Sequence, residues 1–519
     1  CDYNLLFWSN RTMIVETSAI HRKCHVIFAK DIVTTTNMVN QDEFFYFNQQ
    51  YDHIDNRILS FENSNELKFP ENFPSNDHSK FLGKFQILDL FSGCGGLSYG
   101  FEPFAQKLFS IEKDKQTAQT FKCNFVDSTV FNVDANLILN FLINKANQEE
   151  EFLSESLPEN IDIIIGGPPC QGFSEMNRFS QTEYSLFKRS LLVCYLNFLE
   201  FYRPKYFVFE NVYNMILYGK SLIFKIFCSF LIQIGYQIRV IISQAGCYGL
   251  PQQRRRLFII GARYDQGKLP KFPKPTNHFN DSKSMIFKIN GGEKFDPFDG
   301  HRGAYRTITI DDAIGDLPTL NDDDYFVDMI REYKCEPQCS YQREMRKNQQ
   351  QQNSVRDHYC KKLSELNIER IRRIPREISA DWRDLPNIRI RLSDGKIIEK
   401  LRYDNHHRRS KQTKTLIPWC LANSADKNNN WQGQYGRLSW QGHFPTIVTN
   451  PDPITSQGRV IHPDQHRIIS IREMARSQGF PDHFIFRNGS VADKYRQIGN
   501  AVPPLLSMKI ANEFFKSIL

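Results

Sequence analysis

The chain has 519 residues, 40% of them hydrophobic and 13% aromatic, which gives room for more than one domain and excludes wholesale disorder. A formal net charge of +8 suits a polyanionic partner but is also ordinary for a surface of this size. Twelve scattered cysteines form no paired framework, and the sequence has neither an apolar signal segment nor a run of about eighteen apolar residues. A soluble protein in a reducing, intracellular compartment is expected. Because the chain begins at Cys1, it reads as a piece of a longer protein.

Residues 1–60 carry short alternating runs such as Cys24 to Ala29 and Phe44 to Phe47, the mark of a small β-rich remnant. A polar linker follows over 61–84. Strand and helix patterns then alternate. Strands are predicted at Phe85–Phe91, Leu108–Ile111, Thr129–Val133, Ile161–Ile165, Tyr206–Phe209, Gln237–Ile242 and Leu257–Ile260, with a helix over Ser190–Phe201. That order predicts a doubly wound parallel α/β sheet with ligands at the carboxyl ends of its strands.

The first strand runs into Phe91-Ser92-Gly93-Cys94-Gly95-Gly96-Leu97, where glycines let backbone N–H groups approach a ligand. Glu112 and Asp134 end the next two strands, at positions suited to ribose hydroxyls and a purine amino group. Either acid alone reads as a solvated loop residue; together they favour a nucleoside cofactor. The fourth strand empties into Gly166-Gly167-Pro168-Pro169-Cys170, and two prolines hold the path of the backbone before the thiol. A cysteine after a strand is usually a small buried hydrophobe. Here Glu210 ends the neighbouring strand, so a thiol and a carboxyl are expected to share one crevice. Arg254 and Arg256 precede the last strand and are expected on the same side.

Residues 263–459 have few long apolar runs and basic clusters at Arg370 to Arg376 and His406 to Lys414, a loop-rich second domain suited to a duplex backbone. Residues 460–519 return to helical periodicity and rejoin the first domain, 85–262. Cys335, Cys339, His358 and Cys360 match no strong zinc pattern, and no metal is expected.

These residues resemble the DNA (cytosine-5) methyltransferases. The motifs in the family's order are Phe91 to Gly96, Pro168-Pro169-Cys170-Gln171, Glu210-Asn211-Val212, Gln252 with Arg254 and Arg256, Pro445-Thr446-Ile447, and Gly499 to Pro504. The eukaryotic maintenance branch, which copies CpG methylation after replication, is resembled more closely. Asp381 to Asn387, Thr415 to Leu421, Asn450 to Pro453 and Ala475 to Pro481 look like that branch, and residues 1–60 look like the end of its second bromo-adjacent homology module.

The resemblance implies a Rossmann-like class I methyltransferase sheet, a target recognition domain, and S-adenosyl-L-methionine as methyl donor. It implies that Cys170 attacks carbon 6 of a flipped cytosine, that Glu210 hydrogen bonds ring nitrogen 3, and that Arg254 and Arg256 support the site. Cofactor contacts carried over are Phe91, Gly93, Gly96, Leu97, Glu112, Asp134, Gly167, Pro169, Leu191, Asn500 and Val502. Met176 matches the intruding residue that fills the gap in the duplex. Cys420, Leu421 and Trp431 match a surface that reads the parental methyl group. Gln434 and Ser456 depart from it, standing where the pattern has an aliphatic residue and a lysine. No cysteine lies between His406 and Lys414, and Asn423 replaces a histidine, so the zinc cluster of animal members is expected to be missing. Nuclear localisation, epigenetic silencing and chromatin or replication partners follow as expectations of the same resemblance. Two rival readings stay open: a catalytically silent regulator that binds DNA or cofactor, and a transfer RNA methyltransferase of the same fold. De novo rather than maintenance specificity is also open.

Overall fold

The structure, a computed structural model, describes residues 81–143, 157–169, 183–279, 305–320, 328–347, 353–402, 414–425, 429–487 and 489–518, with only single residues and short strands outside them. Four such strands come first: β1 (Leu5–Trp8), β2 (His25–Phe28), β3 (Phe44–Asp52) and β4 (Arg57–Ser60) make one sheet in which β3 pairs with the other three.

The main sheet has seven strands, β5 (Phe85–Leu90), β6 (Ala105–Ile111), β7 (Thr129–Phe131), β8 (Ile163–Gly166), β9 (Tyr206–Val212), β10 (Tyr236–Gln244) and β11 (Arg255–Arg263), in the order β10-β11-β9-β8-β5-β6-β7. The chain starts at β5, winds out to β7, then crosses back to β8 on the other side of β5. That reversal places a crevice at the carboxyl ends of β5 and β8. One expectation is corrected: the sheet is not wholly parallel, because β11 runs antiparallel to both β9 and β10. Ala245–Arg254, the link between β10 and β11, holds only a single 3-10 turn and is too short for the crossover a parallel neighbour needs.

Helices α1 (Ser98–Phe101), α2 (Lys115–Asn124), α3 (Ala135–Ile143), α4 (Glu183–Tyr202) and α5 (Leu222–Gln233) accompany these strands. Period-two alternation sorts the strand side chains onto two faces. Leu88, Leu90, Ile164, Phe207, Phe209 and Ile259 pack with Ile138, Leu139, Leu199 and Leu231 of α3, α4 and α5. Ile87, Ile163, Ile165, Val208, Phe258 and Ile260 face the other way. The apolar stretch Asn214–Gln233 has the length and composition of a membrane span. Left-handed residues Gly219, Lys220 and Ser221 break it, leaving α5 with 12 residues, well short of the ~20 a bilayer requires.

Residues 263–459 contain short helices, α6 (Ile310–Ile314), α7 (Ser340–Arg346), α8 (Glu365–Arg373) and α9 (Trp419–Ser424), and two-residue strand pairings such as Ile390–Arg391 with Ile397–Ile398. With so little regular backbone, buried arginines satisfy the loop carbonyls. Arg370, expected on a solvated basic surface, is one of them. It is buried and donates to the carbonyls of Leu416 and Thr415 at 2.8 Å each, while Arg372 and Arg373 pair with Glu369 on their own helix. The cluster is basic in sequence but mostly committed internally. His406 to Lys411 lie outside the described residues.

The chain closes with α10 (Ile471–Ser477), α11 (Val491–Asn500) and α12 (Pro504–Ile518). These cover the second face of the main sheet. Phe515 stacks on Phe104 with ring centroids 3.9 Å apart, and Phe514 meets Phe101 edge-on. On α10, Arg476 is wholly buried between Asp316 and Asp482, with Arg346 sharing Asp316. This network ties the helix to the loops around α6 and α7.

Candidate active site

The crevice is built from consecutive strand ends. After β5 the backbone turns through Phe91 (φ 58°) and Gly93 (φ 56°), and left-handed geometry at a non-glycine residue marks Phe91 as constrained. The N–H of Gly93 donates to Glu112 Oε2 at 2.9 Å, and the N–H of Asp114 donates to Oε1 at 2.8 Å. The carboxylate ending β6 is thereby aimed by the loop it faces. Asp134, beyond β7, accepts from the N–H of Asn136 at 3.0 Å and pairs with Lys113 at 2.9 Å. Partial burial pushes its carboxyl up, but Lys113 and Asn136 together hold it below the usual range.

Of the other predicted cofactor residues, Gly96 and Leu97 belong to this loop, Gly167 and Pro169 follow β8, the neighbour of β5, Leu191 lies on α4, and Asn500 and Val502 lie at and just after the end of α11. A methyl on Gly96 would run into the carbonyl oxygen of Val502, so the segment after α11 closes directly over the glycines. Leu97, Leu191 and Val502 are buried, Asn500 is exposed, and Gly167 and Pro169 are half-buried beyond β8. One residue under the loop escaped the sequence reading: Asp89, buried at the end of β5, accepts from Ser98 Oγ at 2.5 Å. Burial raises its carboxyl to about 8. Burial also pushes the Cys94 thiol up to about 12, which makes that cysteine a core residue and a poor nucleophile.

Glu210 and Arg256 stand on neighbouring strands, β9 and β11, with Arg256 Nε 3.1 Å from Glu210 Oε1. Burial raises the Glu210 carboxyl against the opposing pull of Arg256 and Arg254. Its second oxygen borders the next loop, since a Cβ on Gly167 would lie 2.8 Å from Oε2. Asn211 Nδ2 donates to the carbonyl of Pro168 at 3.2 Å and anchors the start of that loop. Cys170 and Met176 lie outside the described residues.

Arg254 and Arg256 have separate tasks. Arg254 is buried and donates to the carbonyls of Ile447 (3.2 Å), Gly499 (3.2 Å) and Ala501 (3.0 Å). It clamps the segment carrying Ile447 to the segment carrying Asn500 and Val502. Gln252 does related work, donating to Gln478 Oε1 at 2.8 Å and accepting from the N–H of Ile447 at 3.0 Å.

Trp431, Gln434 and Ser456 are brought together far along the chain, where with Asn429, Gln432 and Arg459 they line a pocket of about 430 Å³. Leu421 instead points into the core beneath, while Cys420 is exposed on α9. Trp431 Nε1 donates to Ser424 Oγ at 2.8 Å, which fixes the indole over α9. Asn429, Asn430, Trp431 and Tyr435 all have φ between 47° and 52°. Each left-handed side-chain-bearing residue costs roughly 1–2 kcal/mol, and such strain gathers at functional sites. Of the four residues weighed as a metal site, three are engaged elsewhere: His358 with Ser470 and the carbonyl of Pro318, Cys360 with the carbonyl of Ile468, and Cys339 with that of Asp312.

Comparison with known proteins gives one consistent family. The C-5 cytosine-specific DNA methylase profile matches residues 85–516. The DNA (cytosine-5)-methyltransferase PliMCI of Paracentrotus lividus is 38% identical over 99% of this chain and 34% of its own length. DNA (cytosine-5)-methyltransferase 1 of Mus musculus is also 38% identical, over 99% of this chain and 34% of its own. The chain therefore spans about a third of the length of these relatives. A solved structure described as a DNA modification methyltransferase encoded within a prophage (E. coli) has a TM-score of 0.54 at 22% identity, covering 84% of this chain and 99% of that one. It shares the fold.

Proposed function

The chain belongs to the C-5 cytosine-specific DNA methylases, and on that premise we propose that it transfers a methyl group from S-adenosyl-L-methionine to carbon 5 of cytosine in CpG duplex DNA, through a covalent adduct on Cys170. The observation that carries this reading is Glu210, a carboxyl raised by burial, held at one oxygen by Arg256 and bordered at the other by the loop that leads to Cys170.

The crevice suits the donor. Bare glycine backbone gives room for an amino-acid tail, Glu112 and Asp134 offer acceptors to a ribose diol and an adenine amino group, and Val502 with Leu191 supplies apolar wall. When bound, S-adenosyl-L-methionine supplies an electrophilic methyl group.

Carbon 5 of cytosine becomes nucleophilic once a thiolate has added at carbon 6. In our reading the Cys170 sulfur forms that bond, and Glu210, whose carboxyl burial raises against the pull of Arg256 and Arg254, brings a proton to ring nitrogen 3 as negative charge develops there. Arg256 holds the carboxyl in place. Arg254 acts at one remove, fixing the backbone on either side of the site. After methylation the carbon 5 proton leaves to a base, the carbon–sulfur bond breaks, and the thiolate is restored. The base must first leave the helix, at a cost of about a few kcal/mol, and Met176 fills the gap.

We further propose hemimethylated CpG sites as maintenance substrates and the nucleus as the place of action. Transfer of tritiated methyl to hemimethylated and unmethylated CpG duplexes, with Cys170→Ser as control, tests this reading. Transfer that vanishes in the variant supports it. Persistence in the variant removes the covalent step, equal use of both duplexes removes the maintenance claim, and cofactor binding without transfer favours a silent regulator.

A further inference from the structure

The main sheet ends at β10, and part of that edge is open. The N–H of Ala245 donates to the carbonyl of Arg254, and the N–H of Tyr264 to that of Gly235, so the odd-numbered residues between Gly235 and Ala245 turn their backbone toward β11. The N–H and C=O groups of Ile238 and Val240 therefore point away from the sheet. No described backbone group pairs with them. Tyr236 and Ile242 are buried on either side, which confines the opening to residues 237–240. Gln237 lies across Ala262 from Tyr206, the first residue of β9, so the opening is at the end of the sheet remote from the crevice.

Helix α5 packs along the same strand and is apolar on its outer face as well as its inner one. Phe227 and Leu231 enter the core, whereas Leu222, Ile226 and Ile232 are 57%, 57% and 61% exposed. Single exposed aliphatics are ordinary, but these three share one face of one helix beside an open edge. Ile238 and Val240 are themselves only half-buried on the α5 side of β10.

Charge says what kind of chain fits there. The sequence holds no acid between Glu210 and Asp265. Within that stretch Lys220, Lys225 and Arg239 are exposed, and among the described residues their side chains have no ion pair. An edge strand is a template for another strand, and a charge placed on it selects which one. A second copy of β10 is disfavoured, because the antiparallel register that pairs Ile238 with Val240 sets two Arg239 side chains opposite each other. A duplex backbone would match the cations but leave Leu222, Ile226 and Ile232 in water.

We propose that this face docks an acidic, extended segment of a partner protein. The segment adds to β10 as a strand at Ile238 and Val240, lays aliphatic side chains on α5, and sets carboxylates against Arg239 and Lys225. Because the face is remote from Glu210, the docked enzyme keeps its crevice free.

The test uses the full chain and two labelled peptides of twelve residues, one alternating valine with glutamate and the other valine with lysine. Binding is followed by fluorescence anisotropy. The glutamate peptide is expected to bind at least about tenfold more tightly, since like charges across such a contact are costly. Arg239→Glu reverses that preference. Leu222→Ser with Ile226→Ser, both exposed and safe for folding, weakens the glutamate peptide about tenfold. Methylating the peptide's alternate backbone nitrogens removes strand donors and abolishes binding. Methyl transfer to duplex DNA stays within about twofold in these variants. Absence of peptide binding, or binding that ignores the sign of the charge or the two serine substitutions, overturns the proposal. Self-association of the wild type that the serine variant loses, measured by sedimentation, gives the face to a second copy and overturns it too. Loss of duplex affinity in Arg239→Glu gives it to DNA, with the same consequence.

Discussion

The crevice at the sheet and the pocket at residues 429–459 are built on opposite plans. In the crevice each candidate side chain sits at the end of a strand and is aimed by a neighbour: Glu112 by two N–H groups, Asp134 by Lys113 and Asn136, Glu210 by Arg256. The pocket rides on left-handed turns, and its order comes from anchors buried beneath it, chiefly Asp381 and Arg437. The contrast teaches where each will fail. A strand-end site is damaged by changes in the groups that line it. A loop-built site is damaged by changes to residues that never touch the ligand.

Under the crevice the largest effect concerns Asp89. Its folded pKa of about 8 lies above the ordinary value of 3.8, so the folded chain keeps a proton that the unfolded chain releases. Stability is therefore expected to fall as pH rises from about 4 to about 8, by several kcal/mol at about 1.4 kcal/mol per pKa unit. Asp89→Asn keeps an acceptor for Ser98 and removes this titration, so its urea midpoint falls less over that range than that of the wild type. A wild type with the same pH profile as the variant would show that Asp89 is charged in the fold.

Beneath the pocket the corresponding residue is Arg437. Its guanidinium donates to the carbonyls of Ile374, Pro375, His462 and Gln465 at 2.7 to 2.9 Å. Burial lowers its pKa to about 10, which leaves it charged at neutral pH. Arg437→Met strands those carbonyls and is expected to cost about 3 kcal/mol. Duplex binding should weaken while S-adenosyl-L-methionine affinity, measured by calorimetry, stays within about twofold, because the crevice is held by other residues. An equal loss of both would mean that the two sites share one support.

The same contrast explains what could be read in advance. Strands of the main sheet announce themselves by apolar runs bounded by glycine and proline, and strand ends fix where Glu112, Asp134 and Glu210 must be. The reversed direction of β11 was legible too, had the length of Ala245–Arg254 been weighed. Arg254 and Arg370 could not be placed, because a basic side chain facing backbone carbonyls and one facing solvent look alike in a sequence. Phe91 was named for its motif, but its left-handed backbone has no compositional sign. In the pocket, Trp431, Gln434 and Ser456 were found through resemblance, whereas Asn429, Gln432 and Arg459 join them only through turns that no periodicity encodes.

A smaller effect separates charge from shape in the crevice. Glu210→Gln preserves the volume and removes the acid, and methyl transfer is expected to fall about 100-fold with little change in duplex affinity. Wild-type turnover should decline with rising pH as the raised Glu210 carboxyl loses its proton, and the variant should lose that alkaline limb. A variant that retains it would assign the limb to another group.

The mildest test asks whether the crevice depends on backbone contact alone. Gly96 lies so close to the carbonyl oxygen of Val502 that any Cβ must displace the segment 500–502. That segment is clamped by Arg254 through Gly499 and Ala501, so it can yield only slightly. Gly96→Ala is therefore expected to weaken S-adenosyl-L-methionine binding about tenfold, some 1.4 kcal/mol, while duplex affinity stays within about twofold. If duplex affinity falls along with cofactor affinity, the crevice and the pocket are coupled through the 447–456 segment, and the two plans describe one site.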